Sequence, residues 1–164
     1  MVNRPKQIGT AGETGIVRAA HRHGFPGAER RALHGNTDLG DILLCPGIIL
    51  EAKSGTTAKT ASAQQLHHWM EETEIERVNS NAALAFLITH RPGYSPARAD
   101  HWWAHTTTGT LHTLTCQDPQ VQQLVDYPAP MLQGPPVHLE FAHLLHLLTE
   151  AGWGATPLPM EVAS

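Results

Sequence analysis

The sequence predicts an α/β domain in which helices flank a central mixed β-sheet. Three observations carry that expectation. Two apolar runs, Leu39 to Cys45 and Ile48 to Lys53, are split by Pro46-Gly47; a continuous apolar stretch, AALAFLITH, has strand length; and helical periodicity occurs before, between and after them. The order α, β, β, α, β, β, α within 164 residues fills one ordinary domain, whose core needs neither disulfide nor structural metal. Residues 1–117 read as the core, and 118–164 as a Pro/Gln-rich connection with a last helix packed on the core or in a dimer interface.

From about Gly12 to His23, the spacing of Ile16, Val17 and Ala20 predicts a helix with one apolar face, closed by Gly24 and Pro26. Glu13, four residues before Val17, lies on or beside that face. The following GFPGAERRALHGNTDLG reads as loop, with room for a short strand or helical turn around Ala28 to Leu33. The split apolar runs then predict a β-hairpin. Ser62 and Gln65 stand in capping-box spacing ahead of Leu66, Trp69, Met70 and Val78, which predicts a helix over about Ala63 to Val78. AALAFLITH suits a strand covered on both faces. DHWWAHTTTGTLHTLTC reads as a second hairpin turning at Thr106 to Gly109, and a helix is expected from about Val137 to Ala151. That helix is apolar around most of its circumference, so it must be buried.

Formal net charge is -4, but the distribution says more than the total. Arg4, Lys6, Arg18, Arg22, Arg30 and Arg31 stand against only Glu13 and Glu29 in the first 34 residues, and no Lys or Arg follows Arg98. A phosphate-contacting surface is therefore expected in the N-terminal part, where the alternative is an ordinary solvated helix face. There is no secretory-type apolar run at the start and no run of the roughly 20 apolar residues a bilayer span needs. A cytoplasmic protein is expected, with no membrane partner and no nucleotide cofactor. Cys45 and Cys116 lie in strand-like runs without metal spacing and read as buried thiols. Of the twelve histidines, His143 with His146 and His67 with His68 match no known metal spacing, so zinc is not expected from sequence.

The chemistry concentrates in the first hairpin. Glu51 and Lys53, two residues apart on one strand, leave the same face together with Ile49, while Leu50 and Ala52 leave the other. The antiparallel partner returns Asp41 to the same end. Two carboxylates this close repel unless a cation sits between them, and Mg²⁺ is commonly held by one or two carboxylates with water and substrate phosphate. The register is the difficulty. A strict two-residue turn at Pro46-Gly47 pairs Glu51 with Ile42 and leaves Asp41 on the wrong face, and Pro-Gly favours a type II turn that fits tight hairpins poorly. A longer loop or a bulge is expected.

Asp41, a hairpin spacer and Glu51-Ala52-Lys53 together resemble the signature of PD-(D/E)XK nucleases. Glu13 in the helix GTAGETGIVRAAHRHGF, a basic loop, then GDI and EAK make the chain most similar to the archaeal and phage type of Holliday junction resolvase, over about Gly9 to Trp103. Two departures are Gly40, where a proline usually precedes the acid, and a region after about Gln117 that matches nothing in the family. The resemblance implies a restriction-endonuclease-like core and a Mg²⁺-dependent endodeoxyribonuclease, with Mn²⁺ as a substitute ion. It implies Asp41 and Glu51 as metal ligands, the Ala52 carbonyl as a third contact, and Lys53 orienting or activating the attacking water. Glu13 completes the metal shell directly or through water, unless it only complements the helix dipole. Gln65 resembles a glutamine found behind the lysine in several of these nucleases, unless it serves only the cap with Ser62. Asp38 is a reserve ligand. The implied substrate is branched DNA and the implied assembly a homodimer. A flap- or single-strand-directed nuclease of the same superfamily, or a catalytically silent DNA-binding module, are the alternatives.

Overall fold

The computed structural model describes residues 4–32, 38–115 and 134–154. Six strands form one mixed sheet in chain order: β1 (Glu29–Arg30), β2 (Ile42–Cys45), β3 (Ile48–Lys53), β4 (Leu84–Thr89), β5 (Trp103–Thr107) and β6 (Pro136–Glu140). Neighbours are antiparallel except β3 and β4, which run parallel and are joined by α2 (Gly55–Lys59) and α3 (Ala63–Asn79). This is the expected α/β sheet flanked by helices. Its core lies on one face, where Ile42, Leu44, Leu50, Phe86, Ile88 and Ala104 meet Ile16, Ala19 and Ala20 of α1 (Arg4–Arg22) and Phe141, Leu144, Leu145 and Leu148 of α5 (Phe141–Glu150). The opposite face carries a far smaller apolar cluster of Ile49, Ala82 and Ala85 with Leu43 against it, beneath α3.

The hairpin resolves the register by a bulge. Cys45 pairs with Ile48 around Pro46-Gly47, but the next pairs are Leu43 with Ile49 and Ile42 with Leu50, so β2 holds one extra residue. Gly47 at φ +91° fits the third position of a type II turn. The bulge supplies the twist that this turn lacks. One step beyond Ile42 and Leu50, Asp41 comes opposite Glu51. Gly40 has φ +82°, a value closed to proline with its φ near −65°, and a Cβ there would come within 3.0 Å of Ile49 Cδ1. That backbone accounts for the glycine where the resembled family has proline.

Several expectations need correction. Helix α1 starts at Arg4 rather than Gly12, because Pro5 is tolerated in a first turn whose N–H groups lack partners, while Ile8, 41% exposed, gives no periodic signal. The expected second hairpin is not one. β5 runs straight into α4 (Thr108–Thr115), where the Thr110 N–H donates to Thr107 Oγ1 at 3.2 Å and starts the helix; the threonine-rich composition had suggested a strand. Val137 to Glu140 belongs to β6, opposite Thr106 to Trp103, so the last helix starts only at Phe141. Its residues Phe141, Leu144, Leu145 and Leu148, with the fully buried Trp102, pack into the core, which is the first of the two places expected for this helix. Val78 is 60% exposed and not part of the buried face of α3. Cys45 is buried as expected, whereas Cys116 and most of the Pro/Gln-rich connection lie outside the described residues.

Helix α1 approaches the sheet closely because its facing residues are glycines. A Cβ on Gly12 would come within 1.9 Å of Ser54 Oγ, and one on Gly15 within 2.2 Å of the Pro96 carbonyl oxygen in the 3-10 turn Pro96–His101. That approach sets Glu13 beside the end of the hairpin.

Candidate active site

The site lies at the end of β3. Asp41 Oδ2 accepts the Ala52 N–H at 2.9 Å, which ties the carboxyl to the strand that bears Glu51. Glu51 is 5% exposed and accepts from Lys53 Nζ at 2.7 Å. Burial first, and the Glu51 charge second, push the Asp41 carboxyl up to about 7; the Ala52 N–H works against them and the charge of Glu13 with them. Burial opposes the charge of Lys53, but Glu51, Glu72 and Glu76 together hold its ammonium above the ordinary lysine value. Glu72 Oε2 stands 3.8 Å from Nζ, and the half-buried Trp69 ring centroid lies 5.9 Å from it. Hence Asp41, Glu51 and Lys53 come together at the end of β3.

The remaining expected residues are placed unequally. Glu13 Oε2 accepts from Arg30 at 2.7 Å, so this carboxylate arrives already paired with a basic residue of the N-terminal cluster. Gln65 donates its backbone N–H to Ser62 Oγ at 3.1 Å, which makes Ser62 the N-cap of α3; the Gln65 side chain is half-buried. Asp38 accepts the Gly40 N–H at 3.1 Å and serves the approach to Asp41. Of the basic residues, Arg4, Lys6 and Arg18 are exposed, Arg22 lies 3.6 Å from Asp100, and Arg31 donates to the Leu39 carbonyl at 2.6 Å. The last bond braces the loop leading to Asp41.

Sequence reading missed Glu76. It is 5% exposed, its Oε2 is fully buried without a hydrogen-bond partner, and that oxygen would lie 3.7 Å from a Cβ on Gly40. Burial, then the charge of Glu51, push its carboxyl up to about 9. The signal was present, since residues 65, 69, 72 and 76 form one stripe at helical spacing. Trp69 and Glu72 on that stripe also border the site.

A divalent ion fits this chemistry. The orphaned buried oxygen of Glu76 and the raised Asp41 carboxyl both mark acids whose charged forms lack a compensating cation in the metal-free protein. Among the described residues there is no group of three His, Cys, Asp or Glu arranged to hold a metal. Two carboxylates completed by water and phosphate match Mg²⁺, which rarely takes an all-protein cage. Among the described residues no helix is long and apolar enough to cross a membrane. Comparison of the chain with family models, curated proteins and solved structures gives no match.

Proposed function

We propose that the chain is a Mg²⁺-dependent, structure-selective endodeoxyribonuclease of the PD-(D/E)XK type that resolves four-way DNA junctions by paired nicks, with Mn²⁺ able to replace Mg²⁺. The observation that carries this reading is the bulged hairpin that sets Asp41 opposite Glu51, with Lys53 bonded to Glu51 at 2.7 Å. The element order also supports it: a helix, a three-strand meander, a crossover helix and a strand parallel to the third, as in a restriction-endonuclease-like core.

In this reading Asp41 and Glu51 hold the ion, the Ala52 carbonyl is the third contact, and Glu13 reaches it through water. When bound, Mg²⁺ supplies charge stabilisation to the scissile phosphate. Lys53 keeps a fixed positive charge and three N–H donors beside Glu51, able to orient a water for in-line attack. Arg30, bonded to Glu13, gives the DNA backbone a cationic contact next to the site, and the exposed Arg18 adds a further cation on α1. A four-way junction has two symmetry-related strands, so resolution needs two sites held together, as a two-fold homodimer provides. Among the described residues, apolar surface available for such a contact includes Ile75 and Val78, 61% and 60% exposed and three residues apart on α3.

The test is cleavage of a labelled four-way junction against linear duplex and flap substrates, with and without Mg²⁺, together with light scattering. Paired symmetric nicks near the branch point by a dimer are expected. Equal cutting of linear duplex, or a monomer at micromolar concentration, would assign a flap- or single-strand-directed nuclease instead. Binding without cleavage at any divalent ion would assign a silent DNA-binding module.

A further inference from the structure

We propose that His67, His105 and His138 form a binding site for a transition-metal ion, Zn²⁺ foremost, that pins the N-terminal half of α3 to β5 and β6. The three imidazoles come from three elements and line one cavity of about 120 Å³, walled otherwise by Ala63, Leu66, Met70 and Val137. His105 and His138 stand two and three strands from Glu51 in the sheet, the site shares no residue with the carboxylates at the end of β3, and the inference does not depend on the nuclease reading.

His105 and His138 are direct cross-strand partners, so both side chains leave the same face of the sheet. Their ring centroids are 5.7 Å apart. Two imidazoles sharing one tetrahedral ion, with bonds of about 2.0–2.1 Å, place their centroids at about this separation. His105 is 7% exposed, and its Nε2 is paired with Thr89 Oγ1 at 2.8 Å. A ring held through one nitrogen is oriented to ligate through the other, as metal-bound histidines usually are. Trp103 meets His138 edge-on with centroids 4.7 Å apart and limits its swing.

In the present side-chain arrangement no three such residues among those described converge to hold a metal. His67 is the member free to complete the set. Its side chain is 65% exposed and pairs with Glu71 at 3.4 Å, an exposed contact within one helix that costs little to break. Three imidazoles plus one water then satisfy a four-coordinate ion, and the borderline-soft nitrogen set selects Zn²⁺ over Mg²⁺. Sequence spacing conceals the site, because its ligands stand on α3, β5 and β6 at separations that no linear motif records.

The test uses the full chain, freed of metal and titrated with Zn²⁺ alone against a chromophoric chelator, with Co²⁺ as a spectroscopic substitute. One Zn²⁺ per chain and the intense visible absorption of four-coordinate Co²⁺ are expected. His67→Ala and His138→Ala each remove an exposed side chain, so both proteins should fold; each should bind Zn²⁺ at least about tenfold more weakly. The double variant His143→Ala, His146→Ala, on the exposed face of α5, should bind like the parent. Absence of Zn²⁺ binding, a weak six-coordinate Co²⁺ spectrum, affinity indifferent to both single substitutions, or loss in the α5 variant would each overturn the proposal.

Discussion

Replacing Asp41 by Asn should destroy cleavage and, in the absence of metal, make the protein more stable. The folded state holds the Asp41 proton far more tightly than the unfolded chain, with a value of about 7 against an ordinary 3.8. An acid raised in this sense favours folding while protonated and opposes it once ionised, so the parent protein loses stability as pH rises from about 4 through about 7. At about 1.4 kcal/mol per tenfold change in proton affinity, the full effect above pH 8 is on the order of 2–4 kcal/mol, the lower figure allowing for solvent screening. The Asp41→Asn protein keeps an acceptor for the Ala52 N–H and carries no charge to place beside Glu51. Urea unfolding in EDTA should therefore show its midpoint about 1 M or more above the parent at pH 8, and the gap should close toward pH 4. Mg²⁺ at ten times its dissociation constant should add about 1.4 kcal/mol to the parent and nothing to the variant. A variant equal to or below the parent at pH 8, or one that still cuts DNA, would refute the argument.

Lys53→Ala should abolish cutting while leaving junction affinity within about twofold in a gel-shift titration, because one point charge adds little to a surface of many phosphate contacts. Arg30→Ala with Arg31→Ala should weaken binding for all arm sequences and lower the salt slope by about one per lost phosphate contact; unchanged binding would misplace the DNA face. Gly15→Ala should destabilise the fold by about 1–3 kcal/mol in thermal or urea unfolding, since its Cβ would lie 2.2 Å from the Pro96 carbonyl oxygen, although alanine in a helix interior otherwise gains about 1 kcal/mol over glycine.

The hairpin and its three charged residues were legible because period two and turn chemistry act over a few residues, and the mismatch between Pro46-Gly47 and Asp41 announced the bulge before its position was known. Helix α3 was legible from its cap and its length. Where the reading failed, a local signal was outvoted by packing. Thr106 to Thr108 look like strand, yet one Thr107 hydroxyl turns the chain into α4. Val137 to Glu140 is too short to declare a period and takes its state from β5. Glu76 escaped because an exposed-looking helix glutamate reveals its burial only once α3 is laid over Glu51. Conversely, Ile75 and Val78 on the same helix face solvent. Glu72 and Glu76, with Trp69, are the residues of α3 turned toward the site.

The extra residue in β2 turns two successive side chains, Leu44 and Cys45, into the main core, where Leu44 is fully buried. A slip to the regular ladder would turn Leu44 and Ile42, both fully buried, to the face under α3 with its small apolar cluster and bring Leu43 into the core in exchange, a net loss of one apolar side chain worth about 1.5–3 kcal/mol. The same slip would relieve the electrostatic conflict by carrying Asp41 away from Glu51. The hairpin is therefore a clamp worked from its apolar side: a leucine buried in the core holds two acidic groups in confrontation. Drift at Leu44, chemically remote from the carboxylates, would disarm them without altering either one.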